Sequence, residues 1–250
     1  MILDKLAQST RVRVERAKCG VTLEEMRAFA EKSPVPAGIS FKEAIAAQGL
    51  SMICEIKKAS PSKGVIAADF PYLEIARQYE QQGAAAVSVL TEPDYFLGDD
   101  AYLRAIASSI KIPALRKDFT IDAYQIYEAK QLGARAVLLI CALLDDARLE
   151  EYQAIAQSIG LDALVETHDA REMERALRAN AQIIGANNRN LQTFEVDLQV
   201  SVRLRPLVPK DRLFVAESGI RSQADLALMK SIGADAVLVG EAMMRKQLTI

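Results

Sequence analysis

The chain is poor in the residues that build metal and disulfide sites. Its 250 residues hold one histidine, His168, and three cysteines, Cys19, Cys54 and Cys141. The cysteines are far apart, odd in number and form no C-x-x-C pair. That excludes a disulfide framework or zinc-type spacing and points to a reduced compartment. With one histidine and no carboxylates at ligand spacing, no metal is expected. Neither charge sign is in excess: 31 Lys and Arg stand against 33 Asp and Glu, a net charge of −2. This balance excludes the basic footprint of a protein that binds nucleic acid or an anionic membrane. No apolar run approaches the roughly 20 residues of a membrane span, and Met1-Ile2-Leu3-Asp4-Lys5 lacks the apolar core of a signal peptide. A cytoplasmic globular protein is expected, with no nucleic-acid or membrane partner, acting as a monomer.

Residues 1–48 read as helical. Leu3, Leu6, Val14, Leu23, Met26, Phe29, Phe41 and Ile45 recur near helical spacing among charges. Thr22 and Glu25 form a capping box, and Ser33-Pro34-Val35-Pro36-Ala37-Gly38 breaks the pattern before a short helix from Phe41. From Ser51 the pattern becomes short apolar runs alternating with amphipathic segments. Strands are predicted near 51–57, 84–90, 112–117, 135–141, 161–167, 182–187, 212–217 and 235–240. Helices are predicted over 72–82, 99–109, 123–132, 146–159, 170–180, 198–207 and 223–232, with a final one of about ten residues from Glu241 to the end. Alternation of this kind implies parallel pairing, because parallel neighbours need a crossover.

An internal repeat fixes the architecture. Gly83-Ala-Ala-Ala-Val-Ser-Val-Leu, Gly133-Ala-Arg-Ala-Val-Leu-Leu-Ile and Gly233-Ala-Asp-Ala-Val-Leu-Val-Gly share one pattern, and Asn180-Ala-Gln-Ile-Ile-Gly-Ala-Asn is a weaker copy. Gly or Asn suits the left-handed residue that ends a helix, and a buried strand follows at once. A spacing of about 50 residues, two βα units each, gives eight units. The prediction is an α/β fold: a (βα)8 TIM barrel over one domain spanning 1–250, of which 1–48 is an N-terminal helical extension. An open dinucleotide-binding sheet fits less well, since no G-x-G-x-x-G follows the first strand.

Barrel sites gather at the C-terminal ends of the strands, and here those ends are polar. The first carries Glu55, Lys57 and Ser60, within Cys54 to Gly64. The second leads into Thr91 to Gly98, and the third ends Leu115-Arg116-Lys117-Asp118-Phe119. The fifth ends Glu166-Thr167-His168-Asp169, and the sixth Asn187-Asn188-Arg189-Asn190. The seventh ends Glu217-Ser218-Gly219-Ile220, and the eighth Gly240-Glu241. Any one of these has a bland reading as a helix cap or surface ion pair, but capping does not explain the whole set.

Gly219 and Gly240 fit the usual barrel phosphate site, which Lys57 and Ser60 would close from the first strand. A phosphorylated small-molecule substrate follows. Lys117 is the best general acid, on the expectation that nearby cations and desolvation lower its pKa toward neutrality. Glu166 is the best general base, with its pKa raised by desolvation. Glu55 and Glu217 balance the lysines. Arg189 suits a substrate carboxylate, with Asn187 beside it, and Phe96 and Phe119 form a sandwich for an aromatic ring. His168 reads as a bystander, and Lys58 and Lys63 as solvent or structural residues.

Together these segments resemble the indole-3-glycerol phosphate synthase family, above all in Glu55-Ile-Lys-Lys-Ala-Ser-Pro-Ser-Lys-Gly64 and Leu115-Arg-Lys-Asp-Phe119. Leu164-Val-Glu166, Gly185 to Leu191, Ala216-Glu-Ser-Gly-Ile220 and Val239-Gly240 match in order and spacing. The resemblance implies a carboxy-lyase of tryptophan biosynthesis that needs no cofactor. It would close the ring of 1-(2-carboxyphenylamino)-1-deoxyribulose 5-phosphate, with loss of CO2 and water, to give indole-3-glycerol phosphate. It implies Lys117 as general acid and Glu166 as general base, with Glu55, Lys57, Asn187, Glu217 and Ser218 completing the site. Lys57, Ser60, Gly219, Gly240 and Glu241 would hold the phosphate. Arg189 and Asn187 would lie by the anthranilate carboxylate and Phe96 and Phe119 by its ring, with Leu191 among the substrate-binding residues and the N-terminal extension covering part of the site. Either Lys57 or Lys117 would serve the dehydration. Ala186 and Thr167 depart from the bulkier apolar residues expected there. Other phosphate-binding barrels remain as alternatives: phosphoribosylanthranilate isomerase, a Schiff-base aldolase on Lys57 or Lys117, or a non-catalytic barrel.

Overall fold

In the computed structural model, eight parallel strands close into a barrel. They are β1 (Ser51–Ile56), β2 (Ala86–Leu90), β3 (Ala114–Lys117), β4 (Ala136–Ile140), β5 (Asp162–Thr167), β6 (Ile183–Asn187), β7 (Leu213–Glu217) and β8 (Ala236–Val239). Each pairs with its sequence neighbour, and β1 closes the ring on β8, with Ser51 opposite Ala236 and Cys54 opposite Val239. The structure describes residues 2–35, 38–47, 49–61, 63–245 and 247–248. Pro36, Ala37 and Ser62, each part of a loop predicted above, lie outside that range.

Strand alternation divides the apolar side chains into two shells. Ile53, Leu115, Leu138, Leu164, Ile183, Val215 and Leu238 point inward and form one buried cluster. Their neighbours Cys54, Val137, Val165, Ile184, Phe214 and Val237 point outward into the layer under the helices. Strands buried on both faces read as continuous apolar runs, which is why they were visible in the sequence. Gly83, Gly133, Asn180 and Gly233 all have positive φ, between 58° and 94°, at the helix-to-strand turns. Gly160, φ 77°, does the same before β5, a copy of the repeat that the sequence reading missed.

Three helices precede β1: α1 (Ile2–Gly20), α2 (Leu23–Lys32) and α3 (Phe41–Ile45). The predicted Thr22–Glu25 capping box is present, and Ser40 with Glu43 forms a second one on α3. Such caps are worth about 1 kcal/mol each, which matters most for a five-residue helix. Phe41 and Ile45 of α3, both fully buried, join the inner cluster. They close the barrel at the strand N-termini, where Ala86, Ala136 and Ala236 leave room. The Lys42 amide fixes this plug by donating to Asp162 Oδ2 at 2.8 Å.

The remaining helices are α4 (Tyr72–Gln81), α5 (Pro93–Phe96), α6 (Asp100–Ala107), α7 (Ala123–Gln131), α8 (Asp146–Ser158), α9 (Ala170–Arg178), α10 (Gln199–Leu204), α11 (Gln223–Ser231) and α12 (Glu241–Met244). Two predicted loops hold regular structure. Ala59–Ser60 and Gly64–Val65 pair as a small antiparallel ribbon above β1. The segment after β2 contains α5, nucleated by the Glu92 carboxylate, which accepts from the amides of Asp94, Tyr95 and Phe96. The expected ten-residue final helix is instead the four residues of α12. Lys246, Thr249 and Ile250 lie outside the described residues. Thr167 and Ala186 both face away from the cavity, Thr167 donating to the Gly185 carbonyl at 2.8 Å and Ala186 packing in the outer shell.

Candidate active site

An inward-facing apolar residue on each of five strands is followed, two positions on, by an inward-facing polar residue or glycine. Ile53 leads to Glu55, Leu115 to Lys117, Leu164 to Glu166, Val215 to Glu217, and Leu238 to Gly240. On β6, Ile183 leads to Gly185 and then Asn187. The side chains standing on top of the inner core therefore form a ring of charge, the floor of an open cavity of about 160 Å³.

Every site residue expected from the sequence lines that cavity. Its floor holds Glu55, Lys57, Lys117, Glu166, Asn187 and Glu217. On the β7, β8 and β1 side stand Ser218, Gly219, Gly240, Glu241 and Ser60; Phe96 and Phe119 reach in after β2 and β3, and Arg189 and Leu191 after β6. Ile2, Leu3 and Leu6 of α1 cover the mouth, as the family resemblance implied. Sequence reasoning missed Arg221 and Phe194 and set Lys63 aside, yet all three line the cavity. Lys63 Nζ lies 3.7 Å from Glu241 Oε1, so it stands on the β8 and β1 side of the cavity rather than in solvent alone.

The glycines act by what they omit. A Cβ on Gly240 would overlap Glu55 Oε1, and one on Gly185 would overlap Glu217 Oε1. Ser218 and Gly219 both have positive φ, 65° and 85°, a sharp turn directly after β7.

Lys117 Nζ is the electrostatic hub. It lies 3.5 Å from Glu166 Oε2 and 3.9 Å from Glu217 Oε2. Burial alone would lower its pKa, but Glu166, Glu217 and Glu55 outweigh burial and raise it. This reverses the expectation of a depressed lysine, because its neighbours are carboxylates rather than cations. Glu166 is reversed for the same reason. Burial pushes its carboxyl up, but Lys117, His168 and Asn187 together hold it down at about 2. Glu217 is the carboxyl that rises, to about 8, through burial and the nearby charge of Glu166. Glu55 pairs with Lys57 and stays below its ordinary value despite burial, because Lys57 and Lys117 face it.

Two further expectations change. Phe96 and Phe119 do not form a sandwich: their rings lie 6.0 Å apart and tilted by 45°. A ring between them would need roughly two carbon contact distances, about 7 Å, so they form one aromatic wall. His168 is no bystander, since its Nε2 lies 3.3 Å from Glu166 Oε1. Arg189 lines the cavity, its guanidinium steadied by the Phe194 carbonyl at 3.1 Å and its amide donating to Asn187 Oδ1 at 3.0 Å.

The other polar residues of β3 and its loop face away from the cavity. Arg116, fully buried, bonds to Asp100 at 2.9 Å, Glu128 at 2.8 Å and the Gln125 carbonyl at 3.0 Å. Asp118 accepts from Thr91 Oγ1 at 2.7 Å and takes both arms of Arg13 from α1, at 2.6 and 2.9 Å. This network ties α1 to the strand that carries Lys117. With Lys18–Asp122 at 2.7 Å and the Ser9–Asp94 contact, α1 is held over the loops after β2 and β3.

The sequence profile of the indole-3-glycerol phosphate synthase family matches residues 3–249. The chain belongs to the indole-3-glycerol phosphate synthase family. It is 54% identical over 245 residues to the indole-3-glycerol phosphate synthase of Ruminiclostridium cellulolyticum, covering 98% of this chain and 94% of that protein. It is 52% identical to the one from Endomicrobium trichonymphae, covering 98% and 95%. Among solved structures, the N-acetylmannosamine-6-phosphate 2-epimerase of Clostridium perfringens aligns with a TM-score of 0.64 at 16% identity, over 86% of this chain and 95% of that one. At that identity the likeness concerns the barrel alone. Membership of the synthase family explains why the matched motifs converge on one cavity. Among the described residues, no helix is long and apolar enough to cross a membrane.

Proposed function

We propose that the chain converts 1-(2-carboxyphenylamino)-1-deoxyribulose 5-phosphate to indole-3-glycerol phosphate, with Lys117 as general acid and Glu166 as general base. The observation that carries the reading is the Lys117–Glu166 pair at 3.5 Å on the cavity floor of a synthase-family chain. Lys117, kept protonated by the charges of Glu166 and Glu55, gives a proton to the substrate carbonyl as the ring carbon bearing the carboxylate attacks. Loss of CO2 restores the aromatic ring, and loss of water completes the indole. Once Lys117 has given up its proton, the larger of the charges that held Glu166 down is gone. The proton affinity of Glu166 then rises as a base is needed. The acid step primes the base step.

Lys57, Ser60 and the amides around Gly219, Gly240 and Glu241 take the phosphate, with Lys63 adding charge. Arg189 faces the anthranilate carboxylate, and the Phe96–Phe119 wall packs against its ring. The working form is a cytoplasmic monomer acting on this small molecule, and the near-neutral net charge supports the reading that no nucleic acid is a partner. A Schiff-base reading of Lys117 is disfavoured, because a nucleophilic amine must be neutral and this one is held charged. The test is the appearance of indole fluorescence when purified protein meets the substrate. A folded protein that leaves it unconverted refutes the reading.

A further inference from the structure

His168 stands one residue beyond β5. Glu166 faces the cavity, Thr167 turns outward, and alternation returns His168 to the Glu166 side. Its ring meets a carboxylate at each nitrogen. Nδ1 is 3.0 Å from Glu172 Oε2, and Nε2 is 3.3 Å from Glu166 Oε1. The same Glu172 oxygen accepts the His168 amide at 2.8 Å, which locks the ring to the first turn of α9. Nδ1 is hydrogen-bonded to Glu172, whereas Nε2 lies close to Glu166 without reaching hydrogen-bond geometry. In either neutral tautomer one ring nitrogen would set a lone pair within 3.3 Å of a carboxylate oxygen, while the doubly protonated ring is attracted to both carboxylates.

Glu166 therefore lies between two cations, His168 at Oε1 and Lys117 at Oε2. An ammonium and a carboxylate this close and this dry can cancel by moving one proton from Lys117 to Glu166. That transfer would disarm acid and base together. A second cation on Oε1 opposes it. We infer that His168, held as an imidazolium by Glu172, is a positioning residue that orients Glu166 and keeps its proton place empty, reserving the Lys117 proton for substrate. The inference rests on the reading of Glu166 as the base. The titratable groups around the ring are Glu166 on β5, Glu172 on α9, Lys117 on β3 and Glu217 on β7. Arg175, Arg171 and Asp169 lie along the cleft outside. Burial lowers the imidazole's pKa, but Glu166 and Glu172 outweigh it and lift it to about 10.

The single histidine makes the ring observable without assignment. Proton–nitrogen NMR of the intact protein is expected to show both ring nitrogens protonated at about pH 8, well above the ordinary value of about 6.5. Glu166→Gln should bring the titration down. A ring titrating at its ordinary value overturns the inference, and this measurement stands even where a variant fails to fold. In kinetics, His168→Asn should lower kcat about tenfold or more with KM changed far less, the pattern of a group acting in the transition state. His168→Lys, which restores a cation, should recover part of the loss. An inactive Glu166→Gln beside a fully active His168→Asn sinks this inference alone. A Glu166→Gln variant that still turns over sinks the base assignment beneath it.

Discussion

Lys117 Nζ and Glu166 Oε2 face each other at 3.5 Å, so the proposed acid and base are an ion pair before any substrate arrives. Each sets the protonation of the other, and neither can be altered alone. Lys117→Met keeps the length of the side chain but removes the proton. Turnover should fall by about 10²–10⁴-fold, the range for a lost general acid, while substrate binding remains measurable. Single-turnover kinetics alongside equilibrium binding checks both halves, and undiminished turnover would remove Lys117 from its role.

Gly240 matters for the side chain it does not have. Gly240→Ala puts a methyl group where Glu55 Oε1 lies, with Lys57 Nζ 3.3 Å away. The carboxylate must move, and Lys57 with it. Displacements of about 1 Å at a site can cost up to about 10²-fold. The expected outcome is a folded protein, by circular dichroism, with a raised KM and reduced kcat. Unchanged kinetics would mean that the Glu55–Lys57 pair is free to relax.

Arg116 carries stability rather than chemistry. It is fully buried and faces Asp100, Asp118 and Glu128. Arg116→Ala leaves these carboxylates without their shared cation, and breaking a buried pair in this way costs about 3–5 kcal/mol. Denaturant unfolding should show that loss. A change below about 1 kcal/mol would mean that the acids find other partners or solvent.

Glu217 should leave a mark on stability against pH. Its carboxyl is raised to about 8 in the fold, against 4.5 ordinarily. Between those values the folded state holds a proton that the unfolded chain has released. Its contribution to stability therefore falls as pH rises, by about 1.4 kcal/mol per pH unit for one proton. Glu217→Gln, neutral at every pH, should lack that slope. Unfolding free energies of both proteins from pH 5 to 8 check it, and parallel curves would refute a protonated Glu217.

The barrel was legible because its signals are local. Gly83, Gly133, Asn180 and Gly233 mark helix ends within a few residues of the strands they precede, and strands buried on both faces stand out as apolar runs. The membership of the cavity was legible too, since polar residues at strand ends gather wherever a barrel closes. Which way each polar residue faces was not. Arg116 and Lys117 look alike in sequence, and only the phase of β3 separates a buried brace from a cavity cation. The signs of the pKa shifts were less accessible still. Lys117 meets carboxylates from β1, β5 and β7, partners that lie 62, 49 and 100 residues away along the chain. His168 went unrecognised because its second partner, Glu172, lies on the next helix.

The alternation in β3 has a further consequence. Ala114 and Arg116 face outward and Leu115 and Lys117 inward, so four residues carry two separable systems. Point changes on one face can tune rate, and those on the other can tune robustness to heat, with little cross-talk. Inserting or deleting one residue cannot be so selective. It would carry a guanidinium braced by three carboxylates into the cavity and bury the ammonium among helices, so length in β3 should tolerate far less variation than composition.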